Sequence, residues 1–175
     1  MPNVLQKPKT IFEVWESLPE GTLCQLINNN IVMSPAPKQI HQFILGRIYF
    51  QLSKSIEENN NGIVYLSPFD IHFSKRNILQ PDIVFISNSN LHLIEEKGLI
   101  GVPDIIVEIL SPSTAHYDEG DKRAIYEQYG VKEYCMVDPT TKKVTTLFLD
   151  GKEFVEKGET IGNFYSKLLD STIVF

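Results

Sequence analysis

Gly101-Val102-Pro103-Asp104-Ile105-Ile106-Val107-Glu108-Ile109-Leu110-Ser111-Pro112-Ser113 is the stretch on which the fold turns. Its β-branched apolar run has the composition of a buried strand, and Ser111-Pro112 stops it. Glu108 lies inside that run. Stripping water from an unpaired carboxylate is costly, so a buried glutamate is protonated, paired or bound to a cation. A second Pro-Asp step, Pro81-Asp82, opens another apolar run, Ile83-Val84-Phe85-Ile86. If the two strands lie side by side with Asp82 and Glu108 on one face, both carboxylates can share one hard cation. Magnesium suits such a pair, because it takes oxygen ligands and keeps several waters.

Outward from these strands the chain alternates helical and extended patterns. Thr10-Ile11-Phe12-Glu13 has the form of a capping box and predicts a short helix through Trp15, ending near Pro19-Glu20-Gly21 and lying as a lid on the core. Residues 23–27 and 31–34 flank Asn28-Asn29-Asn30, a hairpin whose asparagines tolerate positive φ. Ile40, Phe43, Ile44, Ile48, Leu52 and Ile56 recur at helical spacing and predict the longest helix, closed by Asn59-Asn60-Asn61-Gly62. Strands are expected over 63–66, 70–73 and 82–86, with turns at Ser67-Pro68 and Arg76-Asn77. A helix from about Tyr117 to Tyr129, terminated by Gly130, carries Asp118, Asp121, Lys122 and Tyr126. Strands over 133–137 and 144–149 follow, and Asp150-Gly151 turns into a last edge strand near Phe154-Val155.

The 175 residues, 42% of them hydrophobic, fit a single domain over 1–175 with its own core. The apolar runs are far shorter than the ~20 residues that span a bilayer, so no membrane segment is expected. Met1 to Thr10 shows no secretory pattern, and Cys24 and Cys135 lack the paired spacing of a zinc site; both features suit a cytoplasmic protein with buried thiols. A net charge of -6 argues against broad adhesion to nucleic acid, although Lys75-Arg76, Lys122-Arg123 and Lys142-Lys143 are local basic pairs. The Ser111 hydroxyl lacks the glycine-flanked elbow of a hydrolase nucleophile and reads as a strand terminator. Asp104 reads as a turn partner at the head of its strand, Asp118 and Asp121 as braces of their helix, and Tyr126 and Tyr134 as core.

Taken in order, several stretches carry a resemblance: 31–37 with His41-Gln42, Gln80-Pro81-Asp82, 101–114, Asp118 through Lys122 and Tyr126 to Gly130-Val131-Lys132-Glu133-Tyr134, and Val137-Asp138-Pro139. The sequence resembles the PD-(D/E)xK restriction-endonuclease-like superfamily and, within it, the bacterial family of restriction endonuclease candidates. The resemblance implies an α/β (α+β) fold, a mixed sheet flanked by helices, and a metal-dependent endonuclease. It implies that Asp82 and Glu108 hold Mg²⁺ or Mn²⁺, with DNA as substrate and a homodimer where both strands are cut. The usual strand lysine two residues after the glutamate is Leu110 here, so the catalytic lysine is implied on the following helix as Lys122. His41 is implied beside the site.

One departure bears on activity. Where relatives carry two glutamates in the hairpin, this chain has the amides Gln25 and Asn30, which would support a metal more weakly. Two rivals to the endonuclease follow: a binding or protein-interaction module that has lost catalysis, and a hydrolase of a small phosphoester.

Overall fold

The computed structural model describes residues 9–19 and 21–175; the absence of a secretory pattern was read on residues that lie mostly outside these, as does Glu20. The order is α1 (Ile11–Glu16), β1 (Cys24–Ile27), β2 (Asn30–Met33), α2 (Gln39–Asn59), β3 (Gly62–Leu66), β4 (Ile71–Ser74), β5 (Asn77–Leu79) and β6 (Ile83–Ser87). A 3₁₀ segment, Asn88–Leu93, leads to β7 (Ile94–Glu95), β8 (Gly98–Leu99) and β9 (Ile105–Ile109). Then α3 (Ala115–Tyr117), a π turn (Asp118–Lys122) and α4 (Arg123–Tyr129) run on as one helical path. The chain closes with β10 (Glu133–Val137), β11 (Lys143–Asp150), β12 (Glu153–Ile161), β13 (Asn163–Ser166) and β14 (Ser171–Val174).

Two mixed sheets result. The central one has the order β12-β11-β10-β9-β6-β3; the other has the order β2-β1-β5-β4-β8-β7, and β13-β14 form a separate hairpin. The mixed α+β fold is as the sequence implied. Strand alternation sends successive side chains to opposite faces, and β6 and β9 show it cleanly. Ile83, Phe85, Ile105, Val107 and Ile109 pack with α2 and the β13-β14 hairpin on one face. Ile106 packs on the other face with Ile125, Tyr126 and Tyr134, above residues of the second sheet. Glu108 shares the parity of Ile106 and so faces the α4 side.

The long helix differs from expectation in phase. Its buried line is His41, Ile44, Leu45, Ile48, Leu52 and Ile56, whereas Ile40 and Phe43 are exposed. Each fully buried aliphatic of that line contributes ~1.5–3 kcal/mol relative to exposure, so the line sets the rotation of the helix and turns His41 inward. Asn60 ends the helix in the left-handed region, at φ 47°. Asn28 and Asn29 have φ of 50° and 65° at the β1-β2 turn, so asparagine does replace a turn glycine there.

Three expectations need correction. The first helix keeps its capping box, but it ends at Glu16 and buries no residue fully; it rests on the second sheet through Trp15, whose ring meets His72 edge-on. Arg76-Asn77 is not all turn: Asn77 starts β5, which joins β4 to β1 and completes the second sheet. The strand near Phe154-Val155 reaches Ile161 and is not the last, because β13 and β14 follow. These missed strands are three or four residues long, too short to show a period.

Candidate active site

The register of β6 on β9 brings the two carboxylates together. Ile83 pairs with Val107 and Val84 with Ile106, antiparallel, so one step further sets Asp82 opposite Glu108. The main-chain N–H of Asp82 donates to Glu108 Oε2 at 3.3 Å, and that of Ile109 donates to Asp82 Oδ2 at 2.7 Å. Both acids line a cleft of about 560 Å³ with His41, Gln25, Asp118 and Lys122. The cleft opens where the chain leaves β9 at Ser111-Pro112, beside the loop between β2 and α2.

Lys122 reaches the strand from the helix. Its Nζ lies 2.9 Å from Glu108 Oε1 and 2.9 Å from Asp118 Oδ1, and all three side chains are buried. Lys122-Arg123 is therefore not a surface basic pair. The Tyr126 hydroxyl donates to Glu108 Oε1 at 2.7 Å, so this tyrosine is core and also holds a carboxylate of the cleft. His41 Nε2 lies 3.1 Å from Asp82 Oδ2. Tyr134 is buried and donates to the main-chain carbonyl of Asp118 at 3.0 Å.

Two carboxylates flank one buried ammonium, and Asp82 adds a third negative group next to Glu108. Burial, helped by Asp118 and Asp82 and opposed by Lys122, pushes the Glu108 carboxyl up to about 8. Burial also raises Asp118, again against the pull of Lys122. Burial alone would lower the Lys122 pKa, but Glu108 and Asp118 outweigh it and hold the ammonium above its ordinary value. At His41 burial is likewise outweighed, by the Asp82 hydrogen bond and charge and by Glu108, and the imidazole pKa rises.

This environment fits a divalent cation. Asp82 Oδ1 has no protein partner among the described residues, and Glu108 Oε2 has only the 3.3 Å contact to the Asp82 N–H. Among the described residues no three His, Cys, Asp or Glu side chains converge as a closed metal cage. Two carboxylates with room for waters would suit a hard divalent cation rather than structural zinc.

The structure separates the remaining sequence candidates. Gln25 lines the cleft, with its carbonyl accepting from the Gln80 N–H at 3.0 Å and its amide donating to the Ser34 hydroxyl at 3.2 Å. Asn30 is exposed and bonds the Asn28 carbonyl, away from the carboxylates. Asp121 accepts from the Asn28 side chain, so it ties the helix to the hairpin. Asp118 braces its helix through the i,i+4 pair with Lys122, as the sequence suggests, and it also lines the cleft. Its signal was the 118, 122, 126 spacing, which places three polar groups on one helix face.

The mixed α+β scaffold sets paired strand carboxylates beside a buried lysine in one cleft. The model of the Uma2 family, described as putative restriction endonuclease, matches residues 11–162, and the chain belongs to that family. A crystal structure of a putative nuclease belonging to DUF820 from Anabaena variabilis ATCC 29413 is similar over 93% of this chain and 92% of that one. Its TM-score is 0.75 at 19% identity, which is likeness of fold. No curated protein matches the chain. Among the described residues, no helix is long and apolar enough to cross a membrane.

Proposed function

We propose that this protein is a Mg²⁺- or Mn²⁺-dependent endonuclease that hydrolyses DNA phosphodiester bonds in the cytoplasm, as a homodimer where both strands are cut. The observation that carries the reading is the pairing of Asp82 and Glu108 across adjacent strands, with the Lys122 ammonium on Glu108. Asp82 and Glu108 would hold the cation, which when bound neutralises the scissile phosphate and makes water more acidic. The Lys122 ammonium, held 2.9 Å from both Glu108 Oε1 and Asp118 Oδ1, would serve as a fixed positive charge for the pentacoordinate phosphorus of the transition state. His41 orients Asp82: it bonds the same oxygen that accepts from Ile109, and so leaves Oδ1 for the cleft. Tyr126 does the same for Glu108 by occupying Oε1.

Gln25 supports a second reading, a weakened or inactive binding module, because an amide stands in the cleft where relatives carry a glutamate. The experiment is incubation of supercoiled plasmid and single-stranded DNA with the protein in Mg²⁺, Mn²⁺ or EDTA, alongside Glu108→Gln and Lys122→Ala. Metal-dependent cleavage lost in both variants is expected. Absence of cleavage with DNA binding retained in EDTA would favour the module. Cleavage of a small phosphodiester that DNA does not compete would favour a small-molecule hydrolase.

A further inference from the structure

We infer that Asp118 is a positioning residue that aims the Lys122 ammonium at Glu108, so that a helix lysine serves a site whose strand carries none. The inference rests on the nuclease reading for what Lys122 is held to do.

Both residues belong to the π turn Asp118–Lys122, and both are buried. A wide turn inside a helical path is a frequent companion of functional sites. The ammonium lies 2.9 Å from a carboxylate oxygen on each side, Glu108 from the sheet and Asp118 from its own turn. A lysine stem is flexible and its head has three donors. One carboxylate would let that head swing about it; two, from different elements, fix its position and leave it a proton for the cleft. The turn itself is pinned to β10, because the Tyr134 hydroxyl donates to the Asp118 carbonyl at 3.0 Å.

The contacts of the Asp118 side chain separate this role from a helix cap. A cap would accept from N–H groups of its own turn. Asp118 Oδ1 is buried without an aligned hydrogen bond, and its close neighbour is the Lys122 charge. The order of the contacts matters too. Lys122 and Tyr126 both meet Glu108 at Oε1, which keeps Oε2 on the Asp82 side. Without Asp118 the ammonium is free to move across to Oε2 and block the oxygen that the cation reading needs.

The test combines single-turnover cleavage of plasmid DNA in Mn²⁺ with calorimetric Mn²⁺ titration, for wild type, Asp118→Asn, Lys122→Ala and the double variant. For a residue acting only through Lys122, Asp118→Asn slows turnover about 30-fold at unchanged half-saturating DNA. The double variant is then no slower than Lys122→Ala, and Mn²⁺ affinity stays within about threefold of wild type. A double variant slower than Lys122→Ala overturns the inference. So does a tenfold or greater loss of Mn²⁺ affinity in Asp118→Asn, which would make Asp118 a ligand.

Acylation of Lys122, followed by mass spectrometry in metal-free buffer, needs no turnover. It should rise about tenfold in Asp118→Asn and stay at the wild-type rate in Asp121→Asn, since burial and ion pairing protect an amine. Equal rates in Asp118→Asn and wild type overturn the placement. If Asp118→Asn folds poorly, Asp118→Glu keeps the charge and should restore both protection and most of the rate; failure to restore protection counts against the inference. A wild type that cuts no DNA would sink the nuclease reading alone, and the labelling would still decide whether Asp118 holds Lys122.

Discussion

Pro81-Asp82 and Pro103-Asp104 are the same dipeptide at the heads of neighbouring antiparallel strands, yet their carboxylates meet opposite surroundings. Asp104 is buried and saturated: it accepts from the Ser87 N–H at 2.7 Å, from the Asn90 amide at 3.1 and 3.0 Å, and from Lys132 Nζ at 2.6 Å. Asp82 bonds through Oδ2 alone and borders the cleft. The difference comes from what surrounds each strand head. At Asp104 the end of β6 and the segment joining α4 to β10 close over the carboxylate. At Asp82 the neighbour is the end of β9, where Ser111-Pro112 leads the chain away and leaves a gap. A saturated carboxylate stabilises; one with a spare oxygen is available for chemistry.

Substitutions at the two steps should therefore fail in different ways. The largest effect is expected for Asp82→Asn and Glu108→Gln, which should lower cleavage about a thousandfold and abolish measurable Mn²⁺ binding. Asp104→Asn should leave Mn²⁺ affinity within about threefold, and a calorimetric titration of the three variants checks the contrast. If Asp104→Asn lost the metal as well, the division of labour between the steps would be wrong.

Stability should show the reverse order. Asp104→Ala strands the Ser87 N–H and the Asn90 amide and should cost about 2–4 kcal/mol in urea unfolding. Asp82→Ala in EDTA also strands the Ile109 N–H and His41, but its loss relieves repulsion at Glu108, so it should cost less than Asp104→Ala. Equal costs would show that Asp82 is as structural as Asp104.

A pH series sharpens the same contrast. Burial pushes the Asp104 carboxyl up, but Lys132, the Ser87 N–H and Asn90 outweigh it and hold its pKa below the ordinary 3.8. The unfolded chain thus binds the proton more readily. The contribution of Asp104 to stability is full above 3.8 and fades as the pH falls through the lower folded value. The stability gap between wild type and Asp104→Asn should narrow along that acid limb; a gap independent of pH there would refute the assignment.

The smallest effect concerns the hairpin. Gln25→Glu should raise Mn²⁺ affinity about three- to tenfold, since its carbonyl position already accepts from Gln80 and Ser34 can turn its hydroxyl to donate. Asn30→Glu should change nothing measurable, because that side chain is exposed and off the cleft. The departures in the hairpin are thus unequal, and only the tertiary placement of β1 against the carboxylates separates them.

Much of the fold was legible because its long elements repeat a period. The strand runs at 83–86 and 105–110 announced themselves by composition, the hairpin by its asparagines, and the long helix by its spacing. The phase of that helix was less so: Ile40 looks as buried as Ile44, and only packing against the sheet selected His41 for the inner line. Strands of two to four residues, β5, β7, β8, β13 and β14, carry no periodic signal and exist through their partners. In the candidate site, Glu108 was legible from the expense of a carboxylate in a buried run. Asp118 was legible only as one of three polar groups on a helix face, because an acid four residues before a lysine looks the same on a solvated helix as over a cleft.

What the sequence determined by itself is therefore local: which runs are extended, where turns take positive φ, and that a carboxylate in an apolar strand needs a cationic partner. The tertiary structure decided which groups supply that partnership, because a β6-β9 register, the rotation of a helix and a π turn bring residues 41, 82, 108, 118 and 122 into one cleft. No local propensity encodes those meetings. They follow from burying several amphipathic faces at once, and only the assembled core fixes that arrangement.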